Sequence, residues 1–176
     1  ADEVGLGKTI EAGIVIAQYW AEHKRSILVV VPSSLRQQWK QELLDRFNLN
    51  STIVDSAYAR KNKSKEHHSP FTKKGIYICS YDFAHRYNNE AIANGWDLLI
   101  CDEAHKLRNY YKSSKNAVSV SIANLVKYST KALLLTATPL QNRLEELYGL
   151  VSIIDPTYFH SLEVFKERYI KGKSEY

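Results

Sequence analysis

A three-layer α/β fold, with a parallel sheet carrying helices on both faces, is what three observations in this sequence predict. Strands read at residues 27–31, 76–80, 98–101 and 132–136 carry apolar runs that are unbroken rather than alternating up to their ends, as strands covered on both faces must be. Between them lie stretches with helical spacing of apolar residues, so the chain reads as successive right-handed βαβ units. A polar motif stands at the end of each run, at Ser33, Ser80, Asp102 and Thr136. In a parallel sheet all four ends share one edge, the edge where open α/β sheets bind ligands.

The chain has 176 residues, of which 44% are hydrophobic, enough for one core, and we read residues 1–176 as a single domain. No apolar stretch approaches the length that crosses a bilayer, and no leader or cleavage site is visible, so a soluble cytoplasmic protein is expected, nucleoid-associated if bacterial. Cys79 and Cys101 sit inside apolar runs without CxxC spacing, which predicts buried free thiols and no disulfide. A net charge of +5 and an isoelectric point near 9.1 suit a polyanionic partner but are also common in domains with none. Methionine is absent, and we read the chain as a fragment lacking the strand that should precede its first motif.

Residues 1–9, Ala-Asp-Glu-Val-Gly-Leu-Gly-Lys-Thr, open the chain. The helix after them is expected to turn Ile10, Ile14, Ala17 and Ala21 inward, and His23, Lys24 and Arg25 suit its C-terminus. A strand over 27–31 stops at Pro32. Ser34 to Gln37 then spells a Ser-x-x-Gln capping box for a helix whose apolar face is Leu35, Trp39, Leu43 and Phe47. The polar, lysine-rich stretch 58–75 reads as an exposed loop, a solvated connection rather than a nucleic-acid contact, and His67 and His68 lack the company of metal ligands. After the strand at 76–80 comes a mixed helix to Asn94, then the strand at 98–101, then a basic segment and a helix to about Lys127. The last strand, 132–136, leads into Thr138 to Gln141, a second capping box with Pro139 at the first helical position. The helix beyond it should bury Leu144, Leu147, Tyr148, Val151 and Ile154 and end at Asp155-Pro156.

Two motifs carry chemistry. In the first, Gly5, Leu6 and Gly7 allow successive backbone N–H groups to face one anion at a helix N-terminus. Lys8 then reaches the β- and γ-phosphates, and the Thr9 hydroxyl completes a magnesium shell. Asp2 departs from the strict Gly-x-x-x-x-Gly-Lys-Thr pattern, and a glycine-containing turn before a surface helix is the plain alternative. In the second, Asp102 and Glu103 are adjacent carboxylates at a strand end, a costly pair without a cation or basic group beside it. If Asp102 faces Mg²⁺, Glu103 is free to take a proton from an attacking water, the division of labour of phosphoryl transfer. The alternative is a helix whose first turn favours acidic residues. The shared sheet edge favours the chemical reading, because it gathers Lys8 and Asp102 into one place.

With these residues in hand, the chain resembles the first RecA-like lobe of superfamily-two helicases of the Swi/Snf type. The matching motifs are Asp-Glu-Val-Gly-Leu-Gly-Lys-Thr at 2–9, Val-Pro-Ser-Ser-Leu with Gln38-Trp39, Ile-Cys-Ser-Tyr at 78–81, Asp-Glu-Ala-His at 102–105 and Leu-Thr-Ala-Thr-Pro-Leu-Gln-Asn at 135–142. Its wording looks most like the bacterial RapA-like branch. The resemblance implies an ATPase with ATP and Mg²⁺ as its cofactors, Lys8 and Thr9 on the phosphates, Asp102 on the metal and Glu103 on water. It implies that His105, Thr136, Thr138 and Gln141 couple nucleotide state to a nucleic-acid track, and that Ser33, Ser34, Ser80, Arg108 and Asn109 touch one strand of duplex DNA without reading its sequence. RNA polymerase or another DNA-bound protein is the partner that branch implies. Neither the adenine-recognition segment nor the second lobe with its arginine finger is present in these residues, so the fragment alone is expected to be nearly inactive. Two other readings stand beside the double-stranded DNA translocase: a strand-separating DNA or RNA helicase, and a nucleotide-gated interaction module. Intact Lys8, Asp102 and Glu103 argue against the last.

Overall fold

Each long strand of the sheet is apolar on both sides, and the two faces are claimed by different helices. The computed structural model describes residues 7–62, 69–71, 74–112 and 116–171. Its elements run α1 (Gly7–Ala21), β1 (Ser26–Val31), a 3₁₀ turn (Ser33–Leu35), α2 (Arg36–Phe47), β2 (Ser51–Ile53), α3 (Ser56–Asn62), β3 (Gly75–Ser80), α4 (Tyr81–Arg86) and α5 (Asn88–Asn94). They continue through β4 (Leu98–Cys101), a 3₁₀ segment (Ala104–Tyr111), α6 (Ala117–Lys127), β5 (Ala132–Leu134), α7 (Glu145–Ile154) and α8 (Leu162–Tyr169).

The five strands form one sheet in the order β2-β3-β1-β4-β5, and every pairing is parallel. On one face Ile27, Val29, Val31, Ile78 and Ile100 pack with Ala12 and Ile16 of α1 and Trp39 and Leu43 of α2. On the other, Leu28, Val30, Cys79 and Leu99 pack with α4 to α7 through Ala84, Ala91, Ile122 and Leu150. Alternate side chains therefore go to opposite layers, and this accounts for the unbroken apolar runs. Both cysteines are buried as free thiols, and burial pushes the Cys79 thiol up to about 12, which leaves it unreactive.

The register aligns the strand ends. Val30 of β1 sits opposite Cys79 and Cys101, and Cys101 sits opposite Leu134. Ser33, Ser80, Asp102 and Thr136 consequently emerge along one edge. At the opposite edge Asp97 accepts the N–H groups of Arg25 and Ser26 at 2.9 and 3.0 Å and so fixes the start of the central strand.

Several expectations need correction. Helix α1 buries Thr9, Ala12, Gly13 and Ile16, while Ile14 is 59% exposed. A Cβ on Gly13 would lie 2.2 Å from the Phe47 ring, so close approach to α2 selects the small-residue face over the bulky one. Ser34 caps nothing: Pro32 opens a 3₁₀ turn, and α2 begins at Arg36 with no side-chain cap. The stretch 58–75 is not a plain loop, because its start belongs to α3 and Phe71 is buried, edge-on to Tyr77 and Trp96. The mixed helix before Asn94 is two short helices, α4 and α5. Strand β2 carried no sequence expectation, being three half-buried residues at the sheet edge. Strand β5 ends at Leu134, before Thr136.

The second capping box fails as well. Helix α7 starts at Glu145, because the Glu146 carboxylate, reaching back from the first turn, takes the N–H groups of Gln141 and Asn142 at 2.8 and 3.3 Å. The helix buries Glu146, Gly149, Leu150 and Ile153, leaving Ile154 52% exposed. Among the described residues, no helix is long and apolar enough to cross a membrane.

Candidate functional site

Asp102 is the fixed point of the edge. It is only 5% exposed, and its Oδ1 accepts the Glu103 N–H at 2.8 Å while Oδ2 accepts the indole N–H of Trp39 at 2.9 Å. Its main-chain carbonyl accepts the Tyr81 hydroxyl at 2.6 Å. Tyr81 is held well above the ordinary phenol range, chiefly by burial and then by nearby Cys101, Asp102 and Glu103, so it remains a donor.

Glu103 has φ 53° and ψ 43°, a left-handed conformation that costs a non-glycine residue about 1 kcal/mol. That turn separates its side chain from that of Asp102. Glu103 Oε1 lies 3.6 Å from Lys8 Nζ, and Oε2 lies 3.0 Å from His105 Nδ1. Neither nitrogen has a well-formed hydrogen bond, although both are buried atoms. The ammonium of Lys8 is thus brought beside the acid pair with hydrogen-bonding capacity to spare. Thr9, on the first turn of α1, is buried, whereas Gly5 and Leu6 lie outside the described residues.

The acid pair is also tied to β5. Leu135 donates to the carbonyl of Cys101 at 2.9 Å, and its own carbonyl accepts from Ala104 at 2.8 Å. His105 and Thr136 therefore sit on hydrogen-bonded backbones, each one residue beyond a bonded one. Thr136 Oγ1 accepts the Thr138 N–H at 3.2 Å, and Thr138 and Gln141 are exposed.

Along the strand ends, next to Tyr81, a groove of about 320 Å³ is lined by Pro32, Ser33, Ser34, Ser80, Lys106 and Asn116, among others. Ser33 and Ser34 are exposed there, without capping duties. The Ser80 hydroxyl instead accepts the Phe83 N–H and caps α4. Arg108 turns to Glu146 at 3.8 Å and Asn109 is exposed. Lys106, next to the acidic motif, and Asn116, the N-cap of α6, were not singled out from the sequence; a basic residue after the acidic motif and an Asn before an apolar run were the signals.

Glu146 was missed too. Its carboxyl is held below its ordinary range, first by the Gln141 N–H and then, against the opposing effect of burial, by the Asn142 N–H, Arg108 and Lys112. A depressed folded value stabilises the fold above the unfolded carboxylate range, near pH 4.3, and that contribution is lost as pH falls through the folded value. Melting curves between pH 7 and pH 3 should therefore show the stability gap between wild type and Glu146→Gln closing below about pH 4.3. A gap constant down to pH 3 would refute this assignment.

A parallel five-stranded sheet with a lysine brought beside an acid pair at the end of a central strand suits the RecA-like lobe of a helicase-like ATPase. The SNF2-related domain family matches residues 1–174, and the chain belongs to that family. It is 39% identical over 177 residues to YqhH of Bacillus subtilis (strain 168), described as an uncharacterized ATP-dependent helicase, covering 99% of this chain and 29% of YqhH. It is 41% identical over 170 residues to the RNA polymerase-associated protein RapA of Yersinia pseudotuberculosis serotype O:1b (strain IP 31758), covering 94% of this chain and 17% of RapA. The fold matches the Sulfolobus solfataricus SWI2/SNF2 ATPase core in complex with dsDNA with a TM-score of 0.77 at 22% identity, covering 100% of this chain and 35% of that one. The chain thus spans less than a third of the length of either curated relative.

Proposed function

We propose that residues 1–176 form the first ATP-binding lobe of an ATP-dependent double-stranded DNA translocase that remodels protein–DNA complexes, hydrolysing ATP to ADP and phosphate. The observation that carries this reading is the Lys8 ammonium, buried without a hydrogen bond 3.6 Å from Glu103 and next to a carboxylate fixed on both oxygens. A triphosphate suits such an ammonium at a helix start.

The donor set also suits magnesium. Among the described residues no group of three or more His, Cys, Asp or Glu could hold an ion, and Mg²⁺ is the cation that takes one carboxylate and a hydroxyl and completes its shell with water and phosphate oxygens. Asp102 and Thr9 would hold it, and when bound it supplies charge neutralisation on the phosphates. Lys8 leaves Glu103 for the phosphates, and Glu103 Oε1 accepts a proton from the attacking water, with His105 Nδ1 lying 3.0 Å from the other carboxylate oxygen. The change passes through the Ala104–Leu135 hydrogen bond to Thr136, Thr138 and Gln141. Ser33, Ser34 and Ser80, with Lys106 in the same groove, contact the phosphates of one DNA strand, while Arg108 and Asn109 lie next along the chain. Such contacts position without specifying sequence. The second lobe of the same protein supplies the missing arginine, and RNA polymerase or another DNA-bound protein is the partner, by analogy with the name that RapA carries.

ATP hydrolysis by the full-length protein with and without duplex DNA tests this. Duplex should stimulate turnover strongly, and the 176-residue lobe alone should be slower by about 10³-fold or more, the range ascribed to a missing arginine finger. Stimulation by RNA alone, or none by any nucleic acid, would overturn the translocase reading.

A further inference from the structure

The groove and the acid pair belong to different segments, yet one side chain joins them. Trp39 is the first large residue of α2 on its buried face, about one turn after Ser33–Leu35, and is 1% exposed. Its neighbours on that face of the sheet are aliphatic: Ile27, Val29, Val31 and Leu43 belong to the same cluster. A phenylalanine would satisfy such surroundings. The indole instead brings an N–H that, once buried, must find an acceptor, and the acceptor is Asp102 Oδ2 at 2.9 Å.

We propose that Trp39 is a positioning residue for the metal-holding carboxylate: its indole N–H fixes the orientation of Asp102 and fastens it to the helix that begins at the groove. Asp102 is then clamped from both layers of the fold. Trp39 reaches its carboxylate from the α1/α2 side, while Tyr81, from the layer that packs with α4 to α7, holds its backbone carbonyl at 2.6 Å. Oδ1 is occupied by the Glu103 N–H, so each carboxylate oxygen keeps one lone pair for a cation or its water, in a direction set by the other. A displacement of the Ser33–Ser34 turn moves the start of α2, and through Trp39 it moves the carboxylate. Hydrogen bonds of this outer kind characteristically change metal affinity by about 10 to 100-fold when removed.

This inference rests on the proposed nucleotide site, and its test separates the two. Binding of Mn²⁺, followed by loss of the free-ion electron paramagnetic resonance signal, is measured on the full-length protein with AMP-PNP. Nucleotide-dependent Mn²⁺ binding by the wild type tests the site itself; its absence would overturn the site and the inference together. Given that binding, Trp39→Phe should weaken Mn²⁺ by about tenfold or more, with AMP-PNP affinity in EDTA unchanged. Leu43→Val, a truncation on the same buried face, should lower the melting temperature without moving Mn²⁺ affinity. Wild-type Mn²⁺ affinity in Trp39→Phe, or an equal loss in Leu43→Val, would reduce Trp39 to a packing residue and overturn the inference. Incorporation of 3-benzothienylalanine at position 39, which puts sulfur in place of N–H in a ring of the same shape, repeats the measurement if Trp39→Phe does not fold, with the same two outcomes.

Discussion

Glu103→Gln is expected to bind nucleotide at least as well as the wild type while its ATP turnover falls by about 10² to 10⁴-fold, the range for loss of a general base. The two effects differ because the side chain has two roles. In the proposed reaction it is, as a carboxylate, the proton acceptor, and glutamine of nearly the same volume cannot replace it. As a partner of Lys8 at 3.6 Å it competes with the phosphates for the ammonium. That ion pair is about a fifth to a quarter exposed on each side, so its release favours nucleotide by no more than about 1 kcal/mol, roughly fivefold. The turnover loss corresponds to about 3 to 5.5 kcal/mol and dominates. The variant should trap nucleotide. Single-turnover hydrolysis beside a fluorescent-nucleotide titration decides the matter: turnover within fivefold of wild type would remove Glu103 from the chemistry, and lost binding would make it a structural residue.

The sheet and the edge where its polar motifs line up were legible because both follow from short-range facts. A strand covered on two faces must be apolar without interruption, and the residues after it must then carry whatever the edge does. What the sequence hid depends on which atoms meet across the fold. The α1 and α7 faces were misread because bulk was taken as the sign of burial, whereas helices that approach closely bury Gly13 and Gly149 and turn Ile14 and Ile154 outward. The two capping boxes had the right letters. One lost to the 3₁₀ turn that follows Pro32, the other to a carboxylate inside the next helix. Trp39 was placed on an apolar face correctly, but nothing local shows that its N–H reaches a residue of the acidic motif. Adjacent carboxylates suggested divergent roles, and the left-handed backbone of Glu103 is how the chain separates them.

Gly149→Ala should destabilise the fold, although it places alanine in a helix interior. A Cβ on Gly149 would stand 2.2 Å from the carbonyl oxygen of Arg108 and 3.1 Å from Cδ1 of Tyr111. Gly149 is in the interior of α7, where alanine ordinarily gains about 1 kcal/mol over glycine from helix propensity. Here the obstacle is backbone, which no rotamer change can move aside. Helix α7 and the 3₁₀ segment must separate, and overpacking of that kind costs about 1 to 3 kcal/mol or more. The separation also strains the approach of Arg108 to Glu146, 3.8 Å apart across this seam, and with it the carboxylate that holds Gln141 and Asn142. Packing outweighs propensity, and a net loss of about 2 kcal/mol lowers the melting temperature of a domain this size by roughly 4 to 8 °C. Ser152→Ala, also on α7, removes only a hydroxyl bonded to the Tyr148 carbonyl within the helix and serves as the comparison. A melting temperature for Gly149→Ala at or above the wild type would show that α7 is not seated against Arg108 as described. A loss confined to Gly149→Ala, accompanied by weaker duplex stimulation of ATP turnover, would place the seam between α7 and the acidic motif's 3₁₀ segment among the parts that couple the nucleotide site to DNA.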